Sequence, residues 1–219
     1  SVFYKIEPAY LLCASPERLL RIDKGEVRSQ PIKGTAARNL SDPGKDASLA
    51  RELAASPKER SENVMVVDLV RNDLSRFCKP GSVEVEELFG VYSFPQVHQM
   101  ISTVKGELAD GVTWVDAVQQ SFPMGSMTGA PKQKVLQLIE AFEQVRRGIF
   151  SGAVGYCTPG GDADLNVVIR SILYNAQAKY LSYLVGSAIT WYADAEQEYE
   201  ECLLKVAAAR TALANVNRG

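Results

Sequence analysis

Alternation and periodicity divide the chain into short strands and a few helices. It opens in strand-like sequence, and Tyr10–Ala14 is a short apolar run that ends at Ser15-Pro16. Leu20–Arg28 alternates around Asp23-Lys24-Gly25, which predicts a hairpin. Pro31–Thr35 reads as a Gly-containing loop, and polar Asn39–Asp46, with Pro43-Gly44, as a mobile one. Ser56 suits an N-cap, Pro57 the first helical position and Glu59 a capping box, so a helix is predicted from there to about Arg71. Val83–Tyr92 and Val97–Leu108 are rich in Val, Ile and Thr and predict strands; Thr113–Gln120 predicts a short helix. Ser121–Lys132 is a Gly-rich loop, with Pro131 placed to open a helix that reaches about Phe142. Strands are predicted over Phe150–Thr158, Leu165–Asn175 and Tyr180–Thr190, then a helix from near Asp194 to about Leu213. Short turns between strands favour an α+β fold with antiparallel sheets and helices outside. No βαβ repeat or dinucleotide fold is suggested.

Composition narrows this picture. The chain has 219 residues, 46% hydrophobic and 23% charged, which fits one globular domain with a sizeable core. Its formal net charge of -2 gives no electrostatic reason to expect nucleic acid or a membrane surface. No apolar run approaches the roughly 20 residues of a membrane span. The longest, around Val64–Val70, is interrupted by Asp68. Cys13, Cys78, Cys157 and Cys202 lie far apart without a Cys-x-x-Cys pair, so a reducing cytoplasm is the default. No signal peptide is visible, and the first residue is Ser1. Residues 1–219 are therefore expected to be the later part of a domain that begins upstream.

Two helices carry paired carboxylates. Glu59 and Glu62 share one face, as do Glu198, Glu201 and Lys205. Oxygen-rich stripes of this kind suit a hard cation such as Mg²⁺. On spacing alone the plainer readings carry: a helix cap at Glu59 and a surface ion pair between Glu201 and Lys205. Gly125–Lys132 combines small residues with a helix start, a place that binds anions and equally a capped turn. Arg170 lies on an otherwise apolar strand, where it can hold a carboxylate in bidentate geometry or pair with an acidic neighbour. Lys33 sits between Ile32 and Gly34-Thr35; an amine in such a place can act as a nucleophile, though composition favours an exposed loop lysine. Glu17 can be a general acid or a turn cap. His98, the lone histidine, reads as structural.

Together these pieces resemble one family. Ser15-Pro16-Glu17, Pro31-Ile32-Lys33-Gly34-Thr35, Glu59-x-x-Glu62, Asp68-Leu69-Val70-Arg71-Asn72-Asp73, Phe122-Pro123-x-Gly125-Ser126-x-Thr128-Gly129-Ala130-Pro131-Lys132, Ile169-Arg170 and Glu198-x-x-Glu201-x-x-x-Lys205 are similar, in order, to motifs of the chorismate-utilising enzymes. That family includes anthranilate, aminodeoxychorismate, isochorismate and salicylate synthases. The resemblance covers nearly the whole chain. It implies antiparallel β-sheets packed as a sandwich with helices on the outside, and one Mg²⁺ bound with chorismate. Glu62 and Glu201 match the metal ligands, and Glu59 and Glu198 their neighbours. Gly34, Thr35, Ser126, Thr128, Arg170, Gly186 and Lys205 match substrate-contacting positions, and Glu17 matches the acid that helps the 4-hydroxyl leave.

Lys33 separates members of the family. A lysine here is typical of the aminodeoxychorismate synthases, where its amine is implied to attack C2 of chorismate before ammonia attacks C4. The resemblance implies ammonia supplied by a glutamine amidotransferase subunit. Anthranilate synthases, with a small residue at this position, are the first alternative, isochorismate and salicylate synthases the next, and an inactive partner-binding fragment the reading of another class. Three positions depart from the family. Gln99 stands where histidine is common, Phe150 where a tyrosine often touches the substrate, and Gly186-Ser187-Ala188 where three glycines are common.

Overall fold

A computed structural model describes residues 1–191 and 193–216. In chain order the strands and helices are β1 (Val2–Ile6), β2 (Ala9–Cys13), β3 (Arg18–Asp23), β4 (Glu26–Gln30), β5 (Ile32–Ala37), α1 (Pro43–Ala55), α2 (Pro57–Leu74), β6 (Glu84–Ser93), β7 (Val97–Glu107), α3 (Trp114–Ser121), α4 (Lys132–Phe142), β8 (Ala153–Cys157), β9 (Ala163–Val167), β10 (Ser171–Asn175), β11 (Tyr180–Ser182) and α5 (Ala195–Val216). The chain forms two compact units. One contains Ser1–Pro16, Arg147–Val154 and the stretch from Val167 on; the other contains Glu17–Arg146 and Gly155–Asn166.

The larger unit is built on a seven-stranded sheet in the order β5-β7-β4-β3-β9-β8, with β6 on β7. The β3–β4 hairpin turns at Lys24 and Gly25, both at positive φ (51° and 85°), as a tight two-residue turn requires. Strand β7 organises the sheet. Strand β6 pairs along one edge, while β4 and then β5 pair along the other. Pro31 separates β4 from β5 because it has no N–H to offer, yet its carbonyl still accepts from Ser102 N–H at 3.2 Å. Helix α2 buries Glu62, Asn63, Val66, Val67, Val70, Asp73 and Leu74, a helical stripe. Ser102 Oγ on β7 donates to Asn63 Oδ1, which fixes the stripe against that strand. Phe77, Leu20, Leu74, Met100, Val27, Val66 and Val104 fill the core.

The smaller unit carries a four-stranded sheet, β1-β2-β10-β11, with every ladder antiparallel. Leu11, Cys13 and Val168 form its buried cluster, with Val2, Val154 and Leu173 against them. The alternate residues Tyr10 and Leu12, with Phe3, Ile172, Tyr174, Leu181 and Leu213 of α5, line an apolar hollow of about 350 Å³.

The antiparallel α+β expectation holds, and most predicted elements are present. Four local expectations are corrected. Asn39–Asp46 is not a mobile loop: Asp42 caps α1, accepting from Gly44 and Lys45 N–H, and Pro43 sits in the first turn. Pro31–Thr35 is not a loop either; Ile32–Ala37 is strand β5. The predicted strand Leu165–Asn175 is two strands in two sheets, broken at Arg170 with φ 50°. Tyr180–Thr190 keeps only Tyr180–Ser182 as strand.

His98 joins a buried polar clip, as its structural reading predicts. Its Nε2 lies 3.0 Å from Asp46 Oδ1 and its Nδ1 2.9 Å from Ser93 Oγ. Arg38 Nε donates to both Asp46 oxygens at 3.0 Å, and Asn39 N–H donates at 2.8 Å. The Arg38 guanidinium holds the Asp46 carboxyl well below the usual carboxylate range, against the opposing effect of burial. A pKa lowered by folding gives stability that is complete above the unfolded value of about 3.9 and drains away as pH falls below it. Asp46→Asn should therefore melt below the wild type at pH 7, with the gap closing toward about pH 2. Melting curves across that range check this; a gap that stays constant with pH counts against it.

Candidate active site

The first group of site residues stands on β5, α2 and β7. The β5–β7 register shifts between Ile32 and Thr35, so Lys33 and Gly34 occupy a bulge. Gly34 has φ +95°, and a Cβ there would lie 3.1 Å from Glu59 Oε2 and 3.2 Å from Leu53 Cδ1. Bulge and glycine together bring the strand backbone onto the first turn of α2. Lys33 is half-buried, and its amine has no hydrogen bond or ion pair among the described residues. Thr35 is the Cα partner of Gln99, whose Oε1 is buried without a hydrogen bond among the described residues. Glu62 and Glu17 are buried, at 9% and 5% exposure.

Glu59 departs from its plainer reading. Ser56 Oγ accepts from Glu59 N–H at 3.3 Å, which is half of a capping box. Ser56 N–H, which a full capping box would direct to the Glu59 carboxylate, donates to Leu53 O. The Glu59 carboxylate lies instead beside Gly34. Gly34→Ala should cost about 1–2 kcal/mol in urea unfolding, from the left-handed backbone and the crowding of Glu59. An unchanged midpoint would show that the bulge relaxes freely.

The Gly-rich loop is pinned to α2 at both ends. Gly125, in the 3₁₀ turn Gly125–Met127, approaches so closely that an added Cβ would lie 2.7 Å from Leu69 Cβ. Lys132 Nζ donates to both Asp73 oxygens, at 2.8 and 2.7 Å. Burial raises the Asp73 pKa and this ammonium opposes the rise. Thr128 Oγ1 donates to Met124 O at 2.9 Å, so its proton is committed within the loop and its lone pairs remain. Ser126 is half-buried. Pro131 is the N-cap of α4, one position earlier than the sequence suggests.

The second group gathers around α5. Asp194 Oδ1 accepts from Gln197 N–H at 3.0 Å at the helix start. Lys205 Nζ bridges Glu201 Oε1 at 2.6 Å and Gly186 O at 2.9 Å. Ser187 Oγ contacts Glu198 Oε2 and also lies 3.2 Å from Glu201 Oε2. Arg170 Nη1 donates to Lys205 O at 3.2 Å. Burial lowers the Arg170 pKa and the Glu201 charge opposes that shift. A Cβ at Gly186 would meet nothing within 4 Å, so packing within the chain does not require glycine there. Phe150 lies apart from these contacts, in a turn where its N–H donates to Arg147 O.

Thus Gly34 with Glu59, Thr35 with Gln99, and Arg170 with Gly186, Glu198, Glu201 and Lys205 are brought together. Among the described residues no three His, Cys, Asp or Glu side chains converge as a metal group. What converges on α5 is two carboxylates held by one hydroxyl, and carboxylate oxygens are the donors that suit a hard cation such as Mg²⁺. Sequence reasoning missed Ser187 and the Asp73–Lys132 pair. Ser187 was visible only as a departure from glycine.

Residues 1–211 match the family model described as chorismate binding enzyme, and the chain belongs to that family. It is 44% identical to an aminodeoxychorismate synthase of Streptomyces pristinaespiralis, over all of this chain and 30% of the relative. It is 40% identical to aminodeoxychorismate synthase component 1 of Salmonella typhimurium, over 94% of this chain and 45% of the relative. Anthranilate synthase component I from Streptococcus pneumoniae has a similar structure, with a TM-score of 0.80 and 34% identity, covering 93% of this chain and 44% of that one. The chain thus spans less than half the length of these relatives.

Proposed function

We propose that this chain is the chorismate-converting part of an aminodeoxychorismate synthase, and that residues 1–219 are the C-terminal portion of its single catalytic domain. The reaction takes chorismate and ammonia to 4-amino-4-deoxychorismate, for 4-aminobenzoate and folate synthesis. The observation that carries this reading is the half-buried Lys33 amine, unpaired among the described residues and set on a bulge beside Gly34. The relatives named aminodeoxychorismate synthase support it.

In this reading Arg170 takes one substrate carboxylate in bidentate geometry. Ser126 and Thr128 are further substrate-binding candidates; Thr128, whose proton goes to Met124 O, has only lone pairs to offer. The Lys33 amine adds at C2; the ring double bond shifts, and the 4-hydroxyl leaves as water with the proton that Glu17 donates. Ammonia then adds at C4, the double bond returns, and the C2–N bond to Lys33 breaks. Two displacements replace one difficult step. The carboxylates of α2 (Glu59, Glu62) and α5 (Glu198, Glu201) are the candidate Mg²⁺ ligands. The cation, when bound, neutralises substrate carboxylate charge. Ammonia comes from glutamine through an amidotransferase partner, which the words component 1 in the Salmonella relative's name support. A cytoplasmic setting fits the separated cysteines, and no described helix is long and apolar enough to cross a membrane.

The experiment is to incubate the full-length protein with chorismate, Mg²⁺ and ammonium and identify the product. 4-Amino-4-deoxychorismate is expected. Anthranilate as the sole product overturns the reading in favour of the anthranilate synthases, to which the Streptococcus structure also relates this fold.

A further inference from the structure

We propose that Ser187 is a positioning residue that holds the two carboxylates of α5 as a preformed pair of cation ligands. The proposal rests on the Mg²⁺ reading above and assigns a role to a residue where the family commonly has glycine.

The argument begins with what one hydroxyl can do. It has a single proton and two lone pairs. Ser187 Oγ nonetheless lies within hydrogen-bond reach of Glu198 Oε2 and Glu201 Oε2. Two like-charged oxygens therefore stand within reach of one atom. Left alone, they would turn apart, since like charges this close repel. The shared proton offsets that repulsion and fixes both side-chain torsions.

The rest of the contact closes into a ring. Glu201 is held at its other oxygen by Lys205 Nζ at 2.6 Å. Lys205 in turn donates to the carbonyl of Gly186, the residue before Ser187, at 2.9 Å. The 186–187 backbone is thereby tied to α5 through a lysine on one side and a serine on the other. Glu198 is 4% exposed and has its Oε2 turned to this hydroxyl, so water is a poor substitute for it. Oxygens whose side chains are held in place before a cation arrives suit Mg²⁺, which demands near-ideal geometry from its ligands. Groups that orient metal ligands from outside the shell typically change affinity by about 10- to 100-fold when removed.

The test is a Mn²⁺ titration of the full-length protein, following free Mn²⁺ by electron paramagnetic resonance, with Mn²⁺ standing in for Mg²⁺. Glu201→Gln identifies the α5 site by loss of its binding. Ser187→Ala should bind Mn²⁺ about tenfold more weakly or worse. Ser187→Thr, which keeps the hydroxyl, should restore most of the affinity. Ser187→Ala binding as tightly as the wild type, or more tightly, overturns the positioning role while the cation site stands. Failure of Ser187→Thr to recover affinity lost in Ser187→Ala overturns it too, because the hydroxyl is then not what matters. A wild type that binds no Mn²⁺ removes the cation reading itself, and this role with it.

Discussion

Lys33→Ala should lower the formation of 4-amino-4-deoxychorismate by at least about 10³-fold; deleting a nucleophile outright has cost on the order of 10⁶ elsewhere. Alanine keeps the β5 backbone and removes only the amine, and Lys33 has no hydrogen bond or ion pair among the described residues whose loss would disturb the fold. Melting temperature should therefore hold while turnover collapses. Intact mass during turnover provides the complementary measurement. The wild type should show a chorismate-derived adduct that the variant lacks. Turnover close to wild type in Lys33→Ala would remove the covalent step, whatever the product.

The largest expected effect on folding lies elsewhere. Gly155 on β8 faces β9 so closely that an added Cβ would lie 1.9 Å from Asp164 O and 2.9 Å from Leu165 Cα. Both obstacles are backbone, which cannot rotate away as a side-chain end does. Gly155→Ala should cost more than about 3 kcal/mol, beyond the usual range for overpacking, and yield little soluble protein. Gly160→Ala is the control. Its Cβ would meet only Thr158 Oγ1 at 3.7 Å, so near-normal expression is expected. Equal yields for the two variants would show that β8 can shift away from β9.

What was legible in the sequence was local. The Lys24-Gly25 turn, the Ser56 cap, the short helix over Thr113–Gln120 and strand β7 follow from residues close in sequence. Helix α1 was missed although Asp42-Pro43 is a start signal, because its polar first turn reads as loop until Asp46 finds Arg38 and His98. Strand β5 reads as a loop because Gly34 weakens its pattern; the ladder to β7 supplies what its own residues do not. The site divides the same way. Helical spacing shows that Glu198, Glu201 and Lys205 share a face, but not that Ser187 reaches two of them. That contact depends on where the segment before α5 returns, and no local pattern encodes it.

The pairing of β2 with β10 has a consequence for synthesis. Cys13 pairs with Ser171 and Ala9 with Asn175, so the first hairpin must wait for more than half the chain before its second edge is covered. Most of the larger unit is continuous from Glu17 to Arg146 and can form earlier, although β3 also waits for β9. During that interval β2 presents open N–H and C=O groups flanked by Tyr10 and Leu12, an edge that another nascent chain can join. Long-range closure of this kind is slow. Yield in a cell should thus respond to translation speed and chaperone supply as well as to the stability of the finished protein.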